Sequence, residues 1–214
     1  MNKGFDPNEI NGLLTQIIFN PLSYIHPRRL RLSHKLNTPR QRAIVNQMLI
    51  SSVPGALNRL KSTQNVRQLG LLHCWCFLPF ISTLVGAQLF KQELAWQGRM
   101  LKFSATVRCF MSLPLQPPFM RNSFLSVDEL SQEGGAMVGL SEKKDLLLQV
   151  QAAGLSRLLD WQQCAPAILL SRMRLLFPPE LDQCFVDFRR PIQAAELMLI
   201  LQAIEYAKNH PNCV

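Results

Sequence analysis

The chain is 214 residues long, 48% hydrophobic and carries a net charge of +9. That length and apolar content allow one packed domain or two small ones, and they exclude a disordered chain or a disulfide-stapled miniprotein. The charge is polarised: residues 1–120 hold 14 Lys and Arg against Asp6, Glu9 and Glu93, a net of +11, whereas residues 121–214 hold 9 basic and 11 acidic side chains, a net of −2.

No acid occurs between Glu9 and Glu93. Basic polarity of this kind points to nucleic acid, an anionic membrane surface or an acidic protein partner, with a plain solvated face as the bland alternative. The opening MNKGFDPNEINGLL lacks the positive n-region, apolar core and cleavage site of a secretory signal. Cys74, Cys76, Cys109, Cys164, Cys184 and Cys213 are scattered, so they read as reduced thiols in a cytosolic protein.

In chain order, Asp6-Pro7-Asn8-Glu9 has the parts of a helix start: a capping aspartate, a proline suited to the first helical position and a glutamate able to reach back. Ile10, Leu13, Leu14, Ile17 and Ile18 predict one apolar face, closed by Asn20-Pro21. The stretch IIFNPLSYIHPRRLRL (17–32) then passes Pro21 and Pro27 into Arg28, Arg29 and Arg31. Prolines so placed exclude a core strand or an unbroken helix, so the stretch reads as a rigid, exposed connection followed by unpaired positive charge. Thr38-Pro39-Arg40-Gln41 repeats the start logic, and Ile44, Val45, Met48 and Leu49 form a stripe before Pro54-Gly55.

Residues 69–90 carry no charge and are long enough to span a bilayer. His73, Ser82, Thr83 and Gln88 interrupt them and Pro79 sits near the middle, so two buried helices meeting at Pro79 are the more economical reading. The second continues past Leu94 to a stop at Gly98. Residues 112–123, with three prolines, form a semi-rigid connector near the point where the charge changes sign. Ser141, Glu142 and Asp145 open a further helix in which Leu148, Ala152, Leu155 and Leu159 share a face. Another helix is stopped by Pro178-Pro179. The last starts at Pro191, and its apolar run Leu197–Leu201 predicts burial on most of its circumference. The expected architecture is mainly α, an irregular compact helical domain with proline-rich connections over 1–214, with a possible subdivision near 113–123.

No catalytic constellation stands out: there is no P-loop, dinucleotide fingerprint, zincin motif or nucleophile elbow. His73-Cys74-x-Cys76 lacks the second pair that a structural zinc site requires. Asp182 and Asp187 show no surroundings in the sequence that would tune them. The basic run Arg28, Arg29, Arg31, Lys35, Arg40 and Arg42 is the clearest functional signal, but Tyr24 is its lone aromatic, which argues against base stacking.

IIFNPLSYIHPRRLRL strongly resembles the N-terminal signature of the OrgA/MxiK (SctK) family, the sorting-platform accessory proteins of type III secretion systems. LPFISTLVGAQLFKQELAWQG (78–98), LLFPPEL (175–181) and AIEYAKNHPN (203–212) resemble successive family segments in the same order. The resemblance spans nearly the whole chain, is thinnest at about 113–146 and is closest to the OrgA-like branch of invasion-type systems. None of these strings is a chemical signature.

The resemblance implies a non-enzymatic adaptor in the bacterial cytoplasm, peripheral to the inner membrane, without cofactor, metal, nucleic acid or small-molecule substrate. Its implied partners are the pod protein of the sorting platform (SctQ/SpaO-like) and the cytoplasmic domain of an inner-membrane ring protein (SctD/PrgH-like). The stator protein (SctL/OrgB-like) belongs to the same complex. Tyr24, Ile25, His26, Arg28, Arg29 and Arg31 are the interface candidates, because a proline-fixed loop loses little entropy on binding and arginine anchors carboxylates. The competing reading is that PLSYIHP packs the first helix onto the body. LLFPPEL reads first as a helix stop. From another class, the alternative is a basic nucleic-acid-binding regulator; an integral membrane protein is the third reading.

Overall fold

Several helix ends among the described residues fall at a proline, a glycine or a capping side chain. The structure, a computed structural model, describes residues 7–30, 38–52, 72–96, 98–115, 145–162, 165–186 and 190–211. Among the described residues the secondary structure is helical and without strands, a mainly α fold. In chain order the helices are α1 (Pro7–Phe19), α2 (Pro39–Ser52), α3 (Leu78–Leu89), α4 (Lys91–Trp96), α5 (Ala105–Ser112), α6 (Asp145–Trp161), α7 (Ala167–Leu175) and α8 (Ala194–Asn209). Short 3-10 turns occupy Pro21–Ser23, Trp75–Phe77, Arg99–Lys102 and Pro179–Phe185.

The chain divides into two compact units, Met1–Leu78 with Gln162–Phe188, and Pro79–Trp161 with Arg189–Val214. In the first, α1 starts at Pro7 and ends before Pro21 as the sequence predicts, and it buries Ile17 and Ile18. Asp6 lies outside the described residues. α2 begins with the expected reciprocal cap: the Thr38 amide donates to Gln41 Oε1 at 3.1 Å and the Gln41 amide to Thr38 Oγ1 at 3.2 Å. Its stripe differs from expectation, because α2 buries none of its side chains. Val45 and Leu49 are half-buried, whereas Ile44 and Met48 point to solvent.

The second unit is organised by a close helix crossing. A Cβ on Gly86 of α3 would come within 1.8 Å of the Val150 carbonyl oxygen, and one on Gly154 of α6 within 1.8 Å of the Ser82 carbonyl oxygen. The two backbones therefore touch at both glycines, and Leu84, Val85, Leu155, Leu158 and Leu159 fill the surroundings. Burying each such side chain contributes roughly 1.5–3 kcal/mol. The Pro79 carbonyl accepts from Ser82 Oγ at 2.7 Å, Thr83 Oγ1 at 3.0 Å and Gln151 Nε2 at 3.2 Å. Ser82 and Thr83, two of the polar residues that interrupt the apolar run, thus have partners.

The described part of that run is helical at Leu72 and His73, passes through the 3-10 turn Trp75–Phe77 and enters α3 with Pro79 in that helix's first turn; residues 69–71 lie outside the described residues. Among the described residues no helix is long and apolar enough to cross a membrane. α4 stops at Gly98, whose φ of 62° is the left-handed conformation predicted for it. α8 starts three residues later than Pro191 suggests, because Gln193 and Glu196 form a reciprocal cap there. Its apolar run is only partly buried: Leu199 and Ile200 face inward, but Met198 and Leu201 are exposed. Helical geometry spreads five consecutive residues around the whole circumference, and among the described residues no second layer covers the far side. Cys74 is buried, Cys184 half-buried, and Cys76 and Cys109 exposed, none of the four in a disulfide. Cys164 and Cys213 lie outside the described residues.

Candidate functional site

The turn after α1 is built by proline. Pro21 opens a 3-10 turn, and its carbonyl accepts from the amides of Tyr24 at 3.2 Å and Ile25 at 3.0 Å. This compact fold aims the next amide away from its own segment. The His26 N–H donates to the Leu175 carbonyl at 2.8 Å, satisfying the last carbonyl of α7, which has no acceptor role left inside the helix. Pro27 then turns the chain so that Arg29 lies against the segment that follows α7. Arg29 Nε donates to the Phe177 carbonyl at 2.6 Å, Nη2 to the Pro178 carbonyl at 3.3 Å, and the guanidinium grips both carboxylate oxygens of Asp182. YIHPRR and LLFPPEL, far apart in sequence, are one interlocked piece of structure.

The acids that follow Pro178-Pro179 neutralise this piece. Asp182 also accepts from Arg174 Nη2 at 2.5 Å, and Glu180 accepts from Arg28 Nη1 at 3.0 Å. Burial pushes the Asp182 carboxyl up, but hydrogen bonds from Arg174 and Arg29 and their charges overcome it and hold the carboxyl below its usual range. Glu180 is held low first by its own backbone amide and then by Arg28, with burial opposing. His26 is also held low, first by burial and then by the positive charges of Arg28 and Arg29 against Glu180. Its Nδ1 accepts the Arg28 amide at 3.2 Å, which requires the neutral ring.

Tyr24 faces inward. Its hydroxyl donates to the Ile17 carbonyl at 2.5 Å, and its ring meets Trp75 edge-on at a centroid distance of 5.7 Å. Burial raises its pKa, with Arg172 opposing and Cys76 adding to the rise. Arg172 on α7 is 2% exposed, and its Nε and Nη1 have no hydrogen-bond partner among the described residues. Burial lowers its pKa and Tyr24 opposes that shift.

Of the six sequence candidates, the structure brings Tyr24, Ile25, His26, Arg28 and Arg29 into one turn; Arg31 lies outside the described residues. Only Arg28 is exposed; Ile25 and His26 are half-buried, and Tyr24 and Arg29 are engaged inside the unit. The arginines read as unpaired in the sequence are therefore paired at Arg28 and Arg29, because Glu180 and Asp182 come back from the other end of the chain. LLFPPEL is a helix stop, as expected, and it is also the acceptor surface for Arg29. Asp182, read in the sequence as having no surroundings that would tune it, is the hub and is tuned by Arg174 and Arg29. A faint signal existed: Glu180 and Asp182 directly follow a double proline, where a helix has just left carbonyls open. Arg172 was missed because SRMRLL scans as an ordinary amphipathic helix. Among the described residues no group of His, Cys, Asp or Glu is arranged to hold a metal ion.

The chain matches the family model described as bacterial type III secretion apparatus protein (OrgA_MxiK) over residues 14–209. It is similar to the oxygen-regulated invasion protein OrgA of Salmonella typhimurium strains 14028s, SL1344 and LT2. Identity to each is 28% over 200 residues, covering 93% of this chain and 88% of the relative. No solved structure matches it.

Proposed function

Because the chain belongs to the OrgA/MxiK family of bacterial type III secretion apparatus proteins, we propose that it is a non-enzymatic adaptor of that apparatus. In this reading it works at the cytoplasmic face of the inner membrane and joins the pod protein of the sorting platform to the cytoplasmic domain of the ring protein. The stator protein belongs to the same assembly, and residues 1–214 act as one adaptor domain. The observation that carries the proposal is that two of the strings by which the sequence resembles the family, YIHPRR and LLFPPEL, are bonded to one another through Arg29 and His26. What those strings share is a rigid, shaped turn and no reaction chemistry. A rigid loop on a scaffold loses little entropy when a partner docks, which suits a protein that works by holding two others.

In this proposal Tyr24 and Arg29 fix the turn, and Arg28, with Ile25, His26 and Arg31, meets a partner. The geometry dictates the variant. Reversing Arg28, Arg29 and Arg31 together would leave the carbonyls of Phe177 and Pro178 without their donor, leave Asp182 with Arg174 alone and set a new acid beside it, so loss of binding would not be separable from loss of fold. Arg28→Glu alone changes an exposed charge whose pair contributes at most about 1 kcal/mol. Co-expression with the pod protein and, separately, with the ring protein's cytoplasmic domain, followed by size-exclusion chromatography, provides the test. Wild type is expected to co-elute with each, and Arg28→Glu to lose one of them while keeping its melting temperature. Failure of folded wild type to bind either partner would remove the adaptor reading. Unchanged binding by Arg28→Glu would move the contact off this turn.

A further inference from the structure

We infer that the outward face of α2, the strip Arg40–Ile44–Met48, is the docking surface for an amphipathic helix of a partner protein that brings carboxylates to Arg40 and apolar side chains to Ile44 and Met48. The inference rests on the adaptor reading and supplies it with a second surface and a partner chemistry. It starts from an anomaly of the helix itself. α2 is 14 residues long and none of its side chains is buried. A helix of that length is marginal in water unless an apolar face is packed.

Among the described residues the attachment of α2 uses one side. It packs on α1 and on the Pro21–Ser23 turn, and the half-buried residues are Val45, Asn46, Leu49 and Ile50. Asn46 makes the specific bonds: its Oδ1 accepts the Leu22 amide at 2.8 Å and its Nδ2 donates to Asn20 Oδ1 at 2.7 Å. These bonds fix the rotation of the helix about its axis. The opposite side then presents Arg40, Ile44 and Met48, spaced four residues apart and so on one face. Ile44 is 53% and Met48 66% exposed. Two large apolar side chains in line, one of them an adaptable methionine, have the spacing with which helices read one another.

Charge sets the kind of helix that fits. Arg40 and Arg42 lie in the first turn of α2, which holds no acid. There the helix dipole is already positive, so Arg40 sits unfavourably until an anion arrives. The sequence holds no carboxylate between Glu9 and Glu93, so the neighbouring chain has none to offer. Arg28 and Arg29 contrast with this, since Glu180 and Asp182 neutralise them. Arg40 makes no ion pair among the described residues. A partner helix with Glu or Asp at one end of its apolar stripe would neutralise that end and cover Ile44 and Met48 together.

The test compares Ile44→Glu/Met48→Glu, Arg40→Glu and wild type, each co-expressed with the pod protein and with the ring protein's cytoplasmic domain. Melting of each isolated chain is measured alongside. We expect the double variant to lose at least about 100-fold in affinity for one partner, and Arg40→Glu about 10-fold. Wild-type affinity for that partner should weaken with added salt, and the isolated chains should melt alike. Full binding by the double variant, with wild type also bound, overturns the surface and leaves the adaptor reading intact. Loss in the double variant with Arg40→Glu unaffected overturns the acidic partner. A clear drop in the double variant's own melting temperature means that this chain covers the face itself, which also overturns the inference. Wild type binding neither partner removes the adaptor reading and this surface with it.

Discussion

Both units tie distant segments together with arginine and carboxylate, but they do so at different depths. In the second unit Asp160 is 3% exposed and accepts from Arg157 Nη1 at 3.1 Å, Arg190 Nε at 3.3 Å and the Arg190 amide at 3.1 Å. Glu196 completes the network by accepting from Arg190 Nη2 at 3.0 Å and from the Gln193 amide at 3.1 Å. In the first unit the Arg29–Asp182–Arg174 cluster lies at the rim, and the interior instead holds Arg172 with donors unused. Among the described residues the second unit pairs its buried carboxylates with arginine inside, while the first spends its matched charges on a surface turn and leaves both Nε and Nη1 of a buried arginine without a hydrogen-bond partner. A network at the rim leaves the unit's outer shape available to a partner.

The comparison is tested most severely at the α3–α6 crossing. Gly154→Ala places a methyl group against the Ser82 carbonyl, where only backbone movement can make room. Overpacking usually costs about 1–3 kcal/mol, and a clash with backbone lies at or beyond the upper end. The variant should lower the chemical-denaturation midpoint by a corresponding amount. Hydrogen exchange should show faster opening in α3 and α6 than in α7. Equal loosening in α7 would mean that the two units unfold as one and that the contrast has no energetic content.

Asp160→Ala removes the acceptor at the centre of the buried network. Arg157 and Arg190 keep Glu196, so the cost is expected near the lower end of the range for breaking a buried pair, about 3 kcal/mol. Asp182→Ala makes the parallel change in the first unit and should cost less, because Arg174 is exposed and Arg29 keeps the carbonyls of Phe177 and Pro178. Denaturant titrations of both variants give the ordering directly. A larger loss for Asp182→Ala would invert the comparison.

Arg172→Met tests it with the opposite sign. A buried guanidinium cannot shed its proton, so its unpaired donors are a standing cost, and methionine fills a similar volume without them. The variant should be more stable than wild type by about 1–3 kcal/mol, read as a raised midpoint. A destabilised variant would show that Arg172 is satisfied in solution, by water or by the carbonyls at the C-terminal end of α7.

How much of this was legible in the sequence depends on the distance over which each feature is decided. The ends of α1, the cap of α2 at Thr38 and Gln41, the stop at Gly98 and the break at Pro178 are decided within four residues, and they were readable. Ile17, Ile18, Leu155 and Leu159 fell on buried faces as periodicity predicts. The pairing of Arg29 with Asp182 spans 153 residues, and no local rule can find it; a proline-bound basic run looks unpaired until the fold returns its acids. Amphipathicity also misjudged which face is covered. Ile44 and Met48, like Met198 and Leu201, have the pattern of core residues, but burial requires a second layer, and periodicity does not say whether one exists.

The smallest effect expected is a pH dependence confined to the turn. The folded His26 is held below its ordinary value of 6.5 by burial and by Arg28 and Arg29. As pH falls through that window the unfolded chain takes up the proton first, so His26 costs stability on acidification and contributes no slope well above pH 6.5. Glu180 and Asp182, held below 4.5 and 3.8, act later: what they contribute is fully present above those values and is lost as pH drops through their depressed ones. Melting followed over pH should therefore show two descents in wild type. His26→Gln, which offers a side-chain oxygen as acceptor and does not titrate, should flatten the upper one, which sets in as pH falls below 6.5, and leave the lower one in place. If the upper descent is identical in wild type and variant, the ring is not held neutral by its Arg28 amide. The turn would then be less tightly built than the bonds from His26 to Leu175 and from Arg29 to Asp182 imply.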